Sequence, residues 1–321
     1  MPGSSEGTGG ESDGGQLQAH AAELSSAGFF TVKPSELRVL RMLGSGAQSD
    51  VYKAQWTRSF AASTSTIIVA VKRLRSDLDA LYRDREAIAL LTDHPNLVKC
   101  FDSTVDPPYL ILTEFCSGGS FFDLLYNTRQ ELSARQRVKI LTDVASGMKY
   151  LHSQQPIIVH RDLKSSNVLL TKPIRSTDQE PFAKVADFGL ARTSSGSDTF
   201  AAMTVGVGTW RWMAPEVFDI DDQGPYDERA DVFSFAILMY EALVRKIPYS
   251  EKFPLESTDP RLGLHVCLGM RPTLVGLGPE CPTACVDLMQ RGWASVASQR
   301  PGFGELEQEL KGVLEGLPAA G

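Results

Sequence analysis

His160-Arg161-Asp162-Leu163-Lys164-Ser165-Ser166-Asn167, followed downstream by Asp187-Phe188-Gly189, is the stretch whose reading decides the rest of this chain. Asp162 is placed to accept a proton from an attacking hydroxyl, while Asn167 and Asp187 offer hard oxygen ligands suited to magnesium. Taken singly, Asp162 reads as a turn aspartate, Lys164 as a surface charge and Asn167 as a capping side chain. Taken together, in this order and with a glycine-rich turn and a lysine-bearing strand upstream, they imply transfer of a phosphoryl group to a hydroxyl.

Composition sets outer bounds. The chain has 321 residues, 42% hydrophobic and 22% charged, which predicts a soluble globular protein with ample core. A formal net charge of -7 gives no sign of a dedicated nucleic-acid binder or an anionic-membrane anchor. The five cysteines are scattered, and Cys281 and Cys285 lack a second ligand pair nearby, so they read as free thiols in a reducing compartment. Residues 1–32 read as a disordered Gly/Ser-rich tail, too poor in large apolar groups to offset ordering entropy. No Lys or Arg precedes Lys33 and no apolar run occurs there, so neither a secretory signal nor a mitochondrial presequence is expected. Pro2 excludes the usual myristoylation start, and the terminal Pro-Ala-Ala-Gly carries no prenylatable cysteine. No stretch approaches the roughly 20 apolar residues of a membrane span, and the expected location is cytoplasmic.

Beyond the tail the pattern changes character. Short strands are predicted over 40–43, 51–56, 67–74 and 109–113, interrupted by a helix over 78–91, with 59–66 as a polar loop joining two strands. After Gly118-Gly119 the chain turns mostly helical. Val138, Leu141, Val144, Ala145, Met148 and Leu151 form one apolar stripe on a helix ending near His152. The stretch from Ala230 to Leu243 is apolar nearly all round, which predicts a helix buried in a large lobe. The fold class expected is α+β, with a small strand-rich lobe carrying one key helix and a larger, mainly helical lobe.

From about Leu37 to about Leu314 the sequence resembles a eukaryotic protein kinase, and within that superfamily the tyrosine-kinase-like group that includes the Raf and mixed-lineage kinases. The resemblance implies a kinase domain over 33–315, with an N-lobe at about 33–113, a hinge at 114–118, a C-lobe at about 119–315 and a short tail at 316–321. It implies ATP and Mg2+ as cofactors, and transfer of the γ-phosphate to Ser/Thr hydroxyls of protein substrates.

The implied residues follow the motifs. Leu43-Gly44-Ser45-Gly46-Ala47-Gln48-Ser49-Asp50-Val51 fits the kinase glycine loop, with Ser49 in place of the third glycine; this substitution costs strain only if the position needs positive φ. Lys72, in Val69-Ala70-Val71-Lys72, is implied to reach the α- and β-phosphates, held by Glu86, with Asp84 the alternative. Thr113 is implied as a small gatekeeper. Backbone groups of Glu114 and Cys116 would pair with the adenine edge, and Val51, Ala70 and Leu169 would sandwich the ring. Asp162 and Lys164 are implied as catalytic, Asn167 and Asp187 as metal ligands, and His160, Phe188 and Leu90 as stacked packing.

Gly208-Thr209-Trp210-Arg211-Trp212-Met213-Ala214-Pro215-Glu216 resembles the tyrosine-kinase-like closing motif of an activation segment. In the family, Glu216 pairs with Arg300 and Asp231 anchors the catalytic-loop backbone. Phosphorylation at Thr199 or Thr204, by the chain itself or an upstream kinase, is expected to order the segment through Arg161. Thr209 is expected to hydrogen-bond near Asp162 and Lys164. Lys164 and Thr209 favour Ser/Thr over Tyr as acceptor, with dual specificity open. A scaffold reading stays open because the glycine loop departs from its pattern; a metal hydrolase is disfavoured for want of a His/Cys cluster.

Overall fold

The computed structural model of the protein describes residues 32–46, 49–60, 63–75, 94–104, 107–187, 192–193, 209–218, 227–254, 259, 261–278 and 281–318. The expected helix over 78–91 lies outside them. The chain divides into two compact units, Met1–Arg75 with Cys100–Thr113, and Ser76–Lys99 with Glu114–Gly321.

The first unit is an antiparallel sheet. Its strands are β1 (Leu37–Ser45), β2 (Ser49–Phe60), β3 (Ser63–Leu74), β4 (Cys100–Ser103) and β5 (Leu110–Glu114), in the order β1-β2-β3-β5-β4. Val32, Ala54, Trp56, Val69, Val71, Leu110 and Leu112 form its core, and Trp56 Nε1 donates to Glu36 at 3.1 Å. Of the loop expected at 59–66, the described residues 59–60 and 63–66 instead continue both strands: Thr57, Arg58, Ser59 and Phe60 pair with Thr66, Ser65, Thr64 and Ser63. β-Branched threonines suit an extended ladder as well as a loop, and the Thr57 and Thr66 hydroxyls meet across it at 3.1 Å. β4 was not expected. It is four residues long, and two of its positions are only half-buried, too short a run to show an alternation.

The second unit is built round a buried helix, as expected. Helix α1 spans Ala134–His152, starting at a reciprocal cap in which Ser133 accepts from the Gln136 amide while the Gln136 side chain accepts from Ser133 N–H. Short strands β6 (Gly119–Ser120), β7 (Ile158–Val159), β8 (Val168–Leu170), β9 (Ala183–Val185) and β10 (Arg192–Thr193) make two small sheets, β6-β8-β9 and β10-β7. Helices α2 (Pro215–Phe218), α3 (Arg229–Val244), α4 (Arg261–Cys267), α5 (Thr283–Gly292) and α6 (Phe303–Gly316) follow. Every residue of α3 from Ala230 to Val244 is buried. Residues 94–99 belong with this unit: Leu97 bridges to Val185, and Asn96 Nδ2 donates to Ala183 O at 3.1 Å. They lie so close to α1 that a Cβ on Gly147 would sit 2.8 Å from Asn96 O, which requires glycine there.

Candidate active site

The catalytic-loop motif is held from below by one carboxylate. Asp231, on the first turn of α3 and fully buried, accepts from the backbone N–H of His160 at 2.7 Å and of Arg161 at 2.8 Å. The side chain of His152, at the end of α1, reaches the same carboxylate at 3.0 Å. Burial works against ionisation, but the His152 contact, His160 and the backbone donor together hold the Asp231 carboxyl below the ordinary range. This anchor fixes Arg161 in the left-handed region, at φ 68°, where a residue bearing a Cβ is uncommon. The anchoring role expected of Asp231 is thus present.

Above the anchor, Asp162 is gripped on both sides. Lys164 Nζ donates to its carboxylate at 2.8 Å, and Asn167 Nδ2 donates to Asp162 Oδ2 at 2.9 Å and to its main-chain carbonyl at 2.7 Å. Burial raises the Asp162 pKa and the neighbouring Asp187 charge adds to this, while Lys164 and His160 oppose it. With its nitrogen committed to Asp162, the Asn167 amide presents its oxygen as the group left to ligate a cation. Asp187 is exposed and also left-handed, at φ 64°. The preceding Ala186 N–H is tied to Asn167 O at 2.8 Å, so the two oxygen donors share one piece of backbone. His160 is buried with Nε2 3.1 Å from Ala186 O. Its expected partners Phe188 and Leu90 lie outside the described residues.

The remaining expected site residues fall on both units. Leu43, Gly44 and Ser45 close β1, Val51 is on β2 and Ala70 and Lys72 are on β3. Gly46 N–H donates to Ser49 O at 2.8 Å, and Ser49 pairs with Leu74 as an ordinary strand residue without positive φ. Serine in place of glycine therefore carries no backbone strain there. Ser45, Asp50 and Arg75 are linked: Ser45 donates to Asp50 at 2.7 Å, and Arg75 donates to both at 2.6 Å. Thr113 pairs with Cys100. Glu114 N–H donates to Lys99 O at 2.9 Å, and Gly119 N–H to Cys116 O at 3.4 Å. Cys116, Val98 and Ala186 form a small core against Leu169. Glu86, its alternative Asp84, and Thr199 and Thr204 lie outside the described residues, as does the side chain of Thr209.

The closing motif is locked to the large helical unit. Arg300 grips Glu216 at 2.5 and 2.8 Å, as expected. Arg211 is buried, with its guanidinium on the carbonyls of Pro248, Phe253 and Pro254 at 2.5–2.9 Å. One residue that the motif reading missed joins the two halves of the site. Glu241, fully buried on α3, accepts from Ser165 Oγ at 2.7 Å, Trp212 Nε1 at 2.5 Å and Tyr126 hydroxyl at 3.1 Å. Burial pushes its carboxyl up to about 7 against these three donors. The signal was an acidic residue within the apolar run from Phe235 to Val244.

Among the described residues, no three or more His, Cys, Asp or Glu side chains cluster as a metal site. The side-chain oxygens of Asn167 and Asp187 are of the donor type that magnesium takes.

A strand-rich unit, and a helical unit bearing a loop that pairs an aspartate with a lysine and an amide, match the α+β class expected. Residues 37–310 match the family model described as protein tyrosine and serine/threonine kinase, and the chain belongs to that family. It is 34% identical over 287 residues to the serine/threonine-protein kinase STY46 of Arabidopsis thaliana, covering 89% of this chain and 46% of that one. It is 34% identical over 302 residues to the serine/threonine-protein kinase TNNI3K of Mus musculus, covering 91% and 33%. The Arabidopsis thaliana serine/threonine-protein kinase VIK is 32% identical over 302 residues, covering 90% and 63%. The chain thus spans about a third to a half of the length of the first two, 33% and 46%. The resemblance to tyrosine-kinase-like kinases stands with these relatives. No described helix is long and apolar enough to cross a membrane.

Proposed function

We propose that this chain is an ATP-dependent protein kinase that phosphorylates Ser and Thr hydroxyls of protein substrates. The observation that carries the reading is the double grip on Asp162 by Lys164 and Asn167. A loose phosphoryl-transfer transition state asks for positioning and charge stabilisation more than for proton removal. Asp162 orients the acceptor hydroxyl and takes its proton late. Lys164 balances negative charge on the moving group. Asn167 and Asp187 hold Mg2+, which when bound neutralises phosphate charge.

Lys72, steadied by Glu86, binds the α- and β-phosphates under the Leu43, Gly44, Ser45 and Gly46 hairpin. Thr113 shapes the back of the adenine site, while Val51, Ala70 and Leu169 contact the ring. Since Glu114 N–H is committed to Lys99, the adenine edge takes the Glu114 carbonyl and the Cys116 N–H. A cytoplasmic location, autophosphorylation at Thr199 or Thr204 and an upstream kinase complete the proposal, with signal transduction as its setting. No nucleic-acid partner is proposed.

The test is transfer of labelled phosphate from ATP and Mg2+ to the protein itself and to a generic basic protein, beside Asp162→Asn. Incorporation on Ser and Thr, reduced at least about 100-fold in the variant, supports the reading. Equal incorporation by both proteins overturns it.

A further inference from the structure

Lys184 occupies the middle of β9 and pairs across the ladder with Leu169. Its ammonium donates to Glu114 Oε1 at 2.6 Å and lies 3.5 Å from Leu97 O. The same Glu114 oxygen accepts Lys99 N–H at 2.7 Å, and Glu114 returns its own N–H to Lys99 O at 2.9 Å. Glu114 is therefore closed into a ring with Lys99 and fastened sideways to β9. The ion pair is largely sheltered, with 13% of the Lys184 and 25% of the Glu114 side chain exposed. Such a pair is screened less than a surface one, and its geometry is specified by four separate contacts.

What lies around this fastening gives it a consequence. Three residues after Lys184 comes Asp187, and β9 is rigidly tied on its other edge, where Val185 exchanges backbone hydrogen bonds with Asn96 and Val98, both at 2.8 Å. Val98 and Ala186 also pack with Cys116 against Leu169. One lysine thus links the backbone assigned to the adenine edge to β9, the strand that pairs with Leu169 and leads into Asp187. A stability role alone has no need of this placement, since β9 is already held by the Asn96, Val98 and β8 bonds.

We propose that Lys184 is a positioning residue for nucleotide binding, fixing through Glu114 the register between the adenine-binding backbone and the strand that leads into Asp187. This rests on the kinase reading above. Loss of the ammonium leaves Glu114 held by Lys99 alone, so the adenine-binding backbone and β9 lose their common reference while each stays folded. Affinity for Mg·ATP falls, and the fall requires Glu114.

The test uses the full chain and a fluorescent ATP analogue, titrated with and without Mg2+, with thermal unfolding measured on the same samples. Lys184→Met is expected to weaken binding in Mg2+ about five- to tenfold, or about 1–1.4 kcal/mol, with the unfolding midpoint nearly unchanged. Lys184→Arg, which keeps the ion pair, should restore binding to within about twofold. Glu114→Gln should weaken binding similarly, and the double variant should be no weaker than either single one. Unchanged binding in Lys184→Met, additive losses in the double variant, or absence of nucleotide binding by the parent would each overturn the proposal. A parent that binds the analogue but transfers no phosphate would sink the kinase reading alone, and the comparison of affinities would still decide the role of Lys184.

Discussion

Arg300 and Glu216 form a two-point ion pair, with Nη1 to Oε1 at 2.5 Å and Nη2 to Oε2 at 2.8 Å, and the arginine side chain is fully buried. The guanidinium also donates to the carbonyls of Ala294 and Arg229, each at 2.9 Å. A planar fork satisfied on all sides can stay charged in an interior where a lysine could not match the geometry. It joins α2, at the end of the closing motif, to the start of α3 and the turn before α6.

Arg300→Ala leaves the Glu216 carboxylate without its fork and two main-chain carbonyls without donors. The expected loss is about 3 kcal/mol of stability, read as a fall in the urea midpoint at constant slope. Arg300→Lys should recover less than half of it, because an ammonium cannot bridge both oxygens. A loss below about 0.5 kcal/mol would show that the pair behaves like a surface contact.

Most of the catalytic loop was legible because its chemistry is local: Asp162, Lys164 and Asn167 lie within six residues, and the structure makes them touch. Arg300 with Glu216, and Asp231 with the loop, were legible only through family resemblance, since nothing local in the sequence points across such distances. Glu241 was not read at all, although a carboxylate amid Tyr240, Ala242 and Leu243 signals either a burial cost or buried donors. The polar run at 59–66 misled for a different reason. Ser and Thr satisfy the composition of a loop and the sterics of a strand alike, and the ladder with Thr57 and Arg58 is decided by the partner strand. β4 escaped because four residues carry too little pattern.

Asp231→Asn keeps the shape but cannot accept as a carboxylate at both oxygens. Its amide nitrogen must face His160 N–H, Arg161 N–H or the His152 ring, and one of these becomes a clash of donors. Phosphate transfer should fall at least about tenfold, because a misplacement of under an ångström in the loop is costly to an oriented reaction. The check is a comparison of single-turnover rates at saturating ATP, and a rate within twofold of the parent would refute the anchoring role.

The thiols should separate by burial. Cys116 and Cys285 are buried, and desolvation pushes both up to about 12, whereas Cys267 is exposed. The thiolate is the reactive form, so iodoacetamide at pH 8 should label Cys267 in the native protein well before the other two. Peptide mass spectrometry over time reads this directly. Equal labelling of Cys116 and Cys267 before unfolding would contradict the packing of Cys116 against Val98, Ala186 and Leu169.

Glu241 makes a pH prediction whose sign can be worked out. Its carboxyl titrates at about 7 in the folded chain, against an ordinary value of 4.5, because burial opposes its charge more than its three donors support it. Below pH 4.5 both the folded and unfolded forms carry the proton. Between 4.5 and 7 the unfolded chain has released it while the folded one retains it, so the contribution of this residue to stability falls as pH rises and is level above that window. The full drop is about 3 kcal/mol. Glu241→Gln cannot ionise and should lack this slope, so the stability of the parent relative to the variant should decline from pH 5 to about pH 7 and level off above it. The variant also turns an amide nitrogen toward Ser165 or Trp212, both hydrogen-bond donors to the carboxylate, and should slow phosphate transfer through the loop that Ser165 belongs to. Parallel stability curves for the two proteins across this range would mean that Glu241 keeps an ordinary carboxyl, held ionised by Ser165, Trp212 and Tyr126.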